Sequence, residues 1–141
     1  MDLNKYRNLF LEEAAEQLAE ISRALLELEK HPTGSEPIEV IFRMAHSIKS
    51  MAASLGYESI TEISHKLEDR MEGIRSAGAV GSAEELALLF RGLEGLERMV
   101  AVVRDSGEAP GADPELAEAL SAGGDGSSGG VAAAPKKAPT P

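Results

Sequence analysis

The chain has 141 residues, enough for one ordinary domain and a tail but too few for two full domains. With 24 acidic against 14 basic residues its formal net charge is −10, which argues against nucleic acid and anionic membrane surfaces as partners. There is no cysteine, so a disulfide framework, a thiolate metal site and a cysteine nucleophile are excluded.

Hydrophobic residues make up 43%, so a core can be buried, whereas aromatics are only 4% and Trp is absent. An apolar side built from Leu, Ile, Ala, Val and Met favours helices over sheets. The start, Met1-Asp2-Leu3-Asn4-Lys5, lacks the basic and apolar regions of a signal peptide. No apolar run reaches the roughly 20 residues that span a bilayer. The expectation is a cytoplasmic chain with no membrane insertion.

The first helix is predicted over Leu3 to Glu29, with an apolar stripe at Leu3, Tyr6, Phe10, Ala14, Leu18, Ile21, Leu25 and Leu28. His31-Pro32-Thr33-Gly34 ends it. The second is predicted over Pro37 to Leu55, with Ser35 as N-cap, Ile38, Ile41, Ala45, Ile48, Ala52 and Leu55 facing the core, and Gly56 as the stop. The third runs from Ser59 to Arg75, opened by the capping-box pair Ser59 and Glu62, with an apolar stripe at Ile60, Ile63, Leu67, Met71 and Ile74. The loop Ala77 to Gly81 leads to a fourth helix, Ser82 to Arg104, again with a capping-box pair, Ser82 and Glu85. Leu86, Leu89, Phe90, Leu93, Leu96, Val100 and Val103 are its inward residues, and Gly92 and Gly95 would permit a close helix approach.

The pattern allows a short fifth helix from Asp113 to Leu120, with Asp113 as N-cap and Pro114 at the first helical position. After Ser121 the composition changes to Gly/Ser and then Ala/Pro/Lys, the signature of a flexible linker, and a chain that stops inside a linker points to a fragment of something longer. The expected organisation is a bundle over 1–106, the short helix within 107–121 and a disordered linker over 122–141. Four amphipathic helices with short connections give an all-α, antiparallel up-down four-helix bundle.

Three histidines are present. His31 belongs to a loop and reads as a surface residue. His46 lies off the core stripe of the second helix, and its neighbours at helical spacing are Phe42, Lys49, Ser50 and Ala53. Small residues leave room beside the imidazole, and Lys49 can bring an ammonium to whatever the ring carries. On the third helix His65 and Glu68 share a face bordering the core stripe, so Glu68 can meet His46 across an antiparallel hairpin. A carboxylate accepting from Nδ1–H would fix the tautomer and leave Nε2 free as a nucleophile toward a phosphoryl group.

The run His46-Ser47-Ile48-Lys49-Ser50-Met51-Ala52-Ala53-Ser54-Leu55-Gly56-Tyr57 resembles the phosphoacceptor signature of histidine phosphotransfer (HPt) domains. In particular it looks like the N-terminal domain of the CheA-type chemotaxis histidine kinases. The run-up Ile41-Phe42-Arg43-Met44-Ala45 and the His65-x-x-Glu68 pair add to the resemblance, which covers about residues 3–105. It implies that His46 takes phosphate from ATP and gives it to an aspartate of a response-regulator receiver domain. It also implies that Glu68 orients His46, and that Lys49 and His65 complete a polar cluster. Two positions depart from the pattern: Ser50 stands where the family usually has Gly, and Ala53 where Gly is frequent. Both are candidate modulators of transfer.

No Walker sequence or other phosphate-cradling Gly-rich loop is present, so ATP and Mg are expected on a separate kinase catalytic domain, and no cofactor on this chain. Two other readings stand beside this one. One is a non-catalytic interaction bundle, a degenerate HPt fold. The other is a metal-binding bundle using His46, His65, Glu68 and Glu72, although carboxylate-bridged metal bundles carry Glu-x-x-His twice and this chain has the reverse order once.

Overall fold

The computed structural model describes residues 2–122; the linker predicted from the composition lies outside the described residues except for Ala122. Among these residues the chain is all-helical: α1 Leu3–Lys30, α2 Ser35–Leu55, α3 Glu58–Ala77, α4 Ala83–Ser106 and α5 Pro114–Ala122. Each of α1 to α4 packs on its two neighbours, α1 on α2 and α4, α3 on α2 and α4, which is the predicted up-down four-helix bundle. At one end the α1–α2 and α3–α4 loops meet through Val80 N–H donating to the Pro32 carbonyl at 3.1 Å. At the other, the Phe10 ring of α1 stands edge-on to Tyr57 in the α2–α3 turn, centroids 5.3 Å apart.

The predicted stripes of α2 and α3 are buried almost residue for residue: Ile38, Ile41, Ala45, Ile48 and Ala52 on one, Ile60, Ile63, Leu67, Met71 and Ile74 on the other. Leu55, at the end of the α2 stripe, is only partly buried. Each large aliphatic side chain taken wholly out of water contributes about 1.5–3 kcal/mol before entropy costs, so this shared layer fixes how α2 and α3 are registered. The stripe of α1 starts later than predicted. Phe10 is buried, but Leu3 and Tyr6 are 65% and 47% exposed. The groove beside Leu3 and Tyr6 is lined by Met51, Ser54 and Leu55 at the end of α2, and α2 stops at Gly56. On α4, Leu86 and Phe90 are likewise only half-buried.

The helix starts depart from the predicted caps at two places. Ser35 is already inside α2; Gly34 is the N-cap and supplies no side-chain bond, its carbonyl accepting from Ile38 N–H at 3.3 Å. Pro37 then falls in the first turn, where its missing N–H costs nothing because that donor has no helical partner anyway. Ser59 does not cap α3. The chain reverses at Gly56 in the left-handed region, φ 78°, and α3 starts at once, with Thr61 N–H donating to the Tyr57 carbonyl. That places Ser59 one residue into the helix, buried, with Oγ unbonded. Ser82 behaves as predicted, its Oγ accepting from Glu85 N–H at 3.1 Å, but the Glu85 carboxylate turns away to Arg70 instead of closing the box.

The fifth helix is capped by Asp113, whose Oδ1 accepts from Leu116 N–H at 3.1 Å. It lies against α3 and α4, burying Leu116, Ala117 and Leu120. Gly92 and Gly95 on α4 make the approach possible. A Cβ at Gly95 would run into Leu116 Cδ2, and one at Gly92 would press on Leu67 Cδ1 at 3.3 Å. The buried Arg70 guanidinium ties the layers together, pairing with both carboxylate oxygens of Glu85 and donating to the Leu120 carbonyl.

Candidate functional site

His46 and Glu68 come from facing helices, and the registered α2–α3 core brings them together. His46 Nδ1 lies 2.6 Å from Glu68 Oε2, and Lys49 Nζ lies 2.6 Å from Glu68 Oε1. An ionised carboxylate can only accept, so Nδ1 carries the ring proton and donates. In its neutral form the imidazole therefore keeps its lone pair on Nε2, which makes no hydrogen bond among the described residues. Exposure divides the cluster by role. The His46 side chain is 57% exposed, whereas those of Lys49 and Glu68 are 26% and 12% exposed. The ring can be reached by another protein, and the carboxylate that orients it is shielded.

Electrostatics keep that carboxylate ionised. Burial pushes the Glu68 carboxyl up, but hydrogen bonds from Lys49 and His46, together with their charge, outweigh it and hold the group below its ordinary value. A carboxyl depressed in this way binds its proton less readily in the folded chain than in the unfolded one. Its stabilising contribution is therefore whole above about pH 4.5 and is lost as pH falls through the lower folded-state value. Urea unfolding followed from about pH 6 downward is expected to show a shallower acid loss in Glu68→Gln than in the parent chain, and equal slopes would remove Glu68 as a source of acid sensitivity.

Not every predicted residue joins this cluster. His65 points elsewhere, its Nε2 3.6 Å from Asp69 Oδ2 on the exposed face of α3, with no hydrogen bond to His46, Glu68 or Lys49. Glu68 and Asp69 are both within one turn of His65, but the two Glu68 oxygens are taken by His46 and Lys49, which leaves Asp69 as the neighbour. Lys49 holds the second oxygen of Glu68. Glu72 pairs with Arg75 at 3.2 Å, so the four residues of the metal-bundle reading do not converge. Among the described residues no group of three or more His, Cys, Asp or Glu side chains could hold a metal ion. Ser50 and Ala53 are both exposed on the His46 face.

One neighbour of the site was not foreseen. Arg75, near the end of α3, stacks over the Phe42 ring at 4.6 Å from its centroid and pairs with Glu39 at 3.1 Å. This cation–π contact covers the face one turn before His46. Nothing local marks this contact in the sequence, because Phe42 and Glu39 lie on a different helix, far away along the chain.

A family model described as the Hpt domain matches residues 5–106. The chain belongs to the Hpt domain family. Among curated proteins it is similar to the chemotaxis protein CheA of Bacillus subtilis (strain 168), 37% identical over 108 residues, which cover 77% of this chain and 16% of that protein. The chain thus spans about a sixth of the length of such relatives. Among solved structures it resembles the solution structure of the histidine phosphotransfer domain of CheA, with a TM-score of 0.73, 29% identity, and coverage of 84% of this chain and 91% of that one. The crystal structure of the phosphorylated P1 domain of CheA3 in complex with CheY6 from R. sphaeroides shares the fold, with a TM-score of 0.75 at 21% identity over 82% of this chain and 92% of that one. No described helix of this Hpt chain is long and apolar enough to cross a membrane.

Proposed function

We propose that this Hpt domain is the phosphotransfer domain of a CheA-like two-component histidine kinase, and that it works in the cytoplasm. In this reading a separate kinase catalytic domain binds ATP and Mg and presents the γ-phosphoryl group to His46. The observation that carries the reading is the 2.6 Å contact from His46 Nδ1 to the shielded, ionised Glu68, which leaves Nε2 basic and unpaired.

Chemically, the Nε2 lone pair attacks the γ-phosphorus while the bond to the bridging oxygen breaks and its electron pair leaves with ADP. The ring then carries phosphoryl on Nε2 and a proton on Nδ1, and the positive charge it gains is met by Glu68. Lys49 keeps Glu68 ionised through one N–H; its remaining N–H groups are available to phosphoryl oxygens. Transfer reverses the logic. An aspartate carboxylate of a response-regulator receiver domain attacks phosphorus, the N–P bond breaks, and its electron pair returns to Nε2. Such a complex is known for a fold neighbour, the phosphorylated P1 domain of CheA3 bound to CheY6. The exposure of His46 supports access by both partners in turn.

Incubation with a chemotaxis-kinase catalytic core and ATP, followed by intact-mass measurement, tests the reading. One added phosphate, acid-labile and alkali-stable, is expected. No uptake with several competent kinase cores would overturn the reading and promote the non-catalytic interaction bundle.

A further inference from the structure

Ser50 stands one helical turn after His46, exposed, and its hydroxyl makes no hydrogen bond among the described residues. The Ser50 carbonyl instead accepts from Ser54 Oγ at 3.1 Å. Side chains on a helix lean toward its N-terminus, so the Ser50 hydroxyl lies over the turn that carries the imidazole. At 3.6 residues per turn Ser50 is displaced about 40° from His46 around α2, and Lys49 about 60° the other way. Lys49 and Glu68 occupy one flank of the ring; Ser50 occupies the other and contributes the free donor there.

We infer that the Ser50 hydroxyl donates to an oxygen of a phosphoryl group on His46 Nε2 and so sets how long the phosphohistidine survives. The inference rests on His46 as phosphoacceptor. Loss to water proceeds by attack of a water oxygen on phosphorus; the N–P bond breaks, its pair returns to Nε2, and both water protons leave with the phosphate as dihydrogen phosphate. The transition state is loose and metaphosphate-like, with less negative charge on the phosphoryl oxygens than the bound dianion has. A donor to those oxygens is therefore worth more before the bond breaks than during it, and it slows the loss. Ser50 acts on the phosphoryl group directly and takes no part in activating Nε2.

The full chain is loaded chemically with phosphoramidate, which phosphorylates imidazoles without any kinase, and decay at His46 is followed by fragment mass at neutral pH. Ser50→Ala is expected to shorten the phosphohistidine lifetime about three- to five-fold, at most the factor one net hydrogen bond supplies. Ser50→Thr, which keeps the hydroxyl, is expected to stay within about two-fold of the parent. Equal lifetimes in Ser50→Ala and the parent would overturn the inference, and so would a Thr variant as short-lived as the Ala variant. Because loading bypasses the kinase, failure of enzymatic uptake would sink the phosphoacceptor reading on separate data.

Discussion

Phosphate uptake from a kinase core is expected to vanish in His46→Gln and to fall by roughly 10³-fold in Glu68→Gln, somewhat less than the loss seen when an orienting carboxylate is replaced by its amide in a catalytic triad. The two losses have different causes. A glutamine in place of His46 has no lone-pair nitrogen to attack phosphorus. A glutamine in place of Glu68 is nearly isosteric with it, but has one acceptor end and one donor end. Lys49 can only donate, so it takes the carbonyl oxygen, and the amide NH₂ is left facing His46 Nδ1. The ring must then accept at Nδ1 and carry its proton on Nε2, which is the wrong tautomer for attack. Initial rates of phosphorylation, paired with nitrogen chemical shifts of the imidazole, check both halves. A Glu68→Gln chain that kept Nδ1 protonated and reacted at the parent rate would refute the orienting role. Neither substitution should disturb the fold, because the His46 side chain is more than half exposed and the amide keeps the volume of the Glu68 carboxylate.

Glu85→Ala is expected to destabilise the chain by about 3 kcal/mol, a large share of the roughly 5–15 kcal/mol that holds such a domain together. The Arg70 side chain is 3% exposed, and Glu85 answers its charge through two contacts of 2.9 and 3.0 Å. Removing Glu85 strands a buried guanidinium, and relaxation to reach water would pull its remaining bond from the Leu120 carbonyl. The fifth helix, held by that bond, by Leu116 over Gly95 and by Lys66 donating to Ser121 Oγ at 2.9 Å, should loosen first. Urea unfolding gives the magnitude, and hydrogen exchange across 114–122 gives the location. The double variant Arg70→Met with Glu85→Leu removes both charges and is expected to recover most of the loss. A loss below about 1 kcal/mol in Glu85→Ala would mean that the pair is hydrated and its burial immaterial.

Much of the molecule was legible before any fold was in hand. The 3.6-residue periodicity marked α1 to α4 because each helix must bury one stripe, and the core of α2 and α3 came out as read, apart from the partly buried Leu55. Asp113 and Ser82 cap as expected because a cap is a local contact, made within one turn of helix. Ser35 and Ser59 misled for the same reason: the local signal was present, but Gly34 and the reversal at Gly56 set where the chain could turn.

At the site, the sequence by itself determined the donor set, His46 with Lys49 on one helix and Glu68 on the next, because spacing along a helix dictates which residues share a face. Only the tertiary structure decided who partners whom. Lys49 reaches Glu68, His65 turns to Asp69, Arg75 crosses to Phe42, and Arg70 closes on Glu85 and α5. Most of these are choices between helices, settled by the register that the buried aliphatic layer imposes, and a contact across such a layer leaves no periodic trace in the chain that makes it.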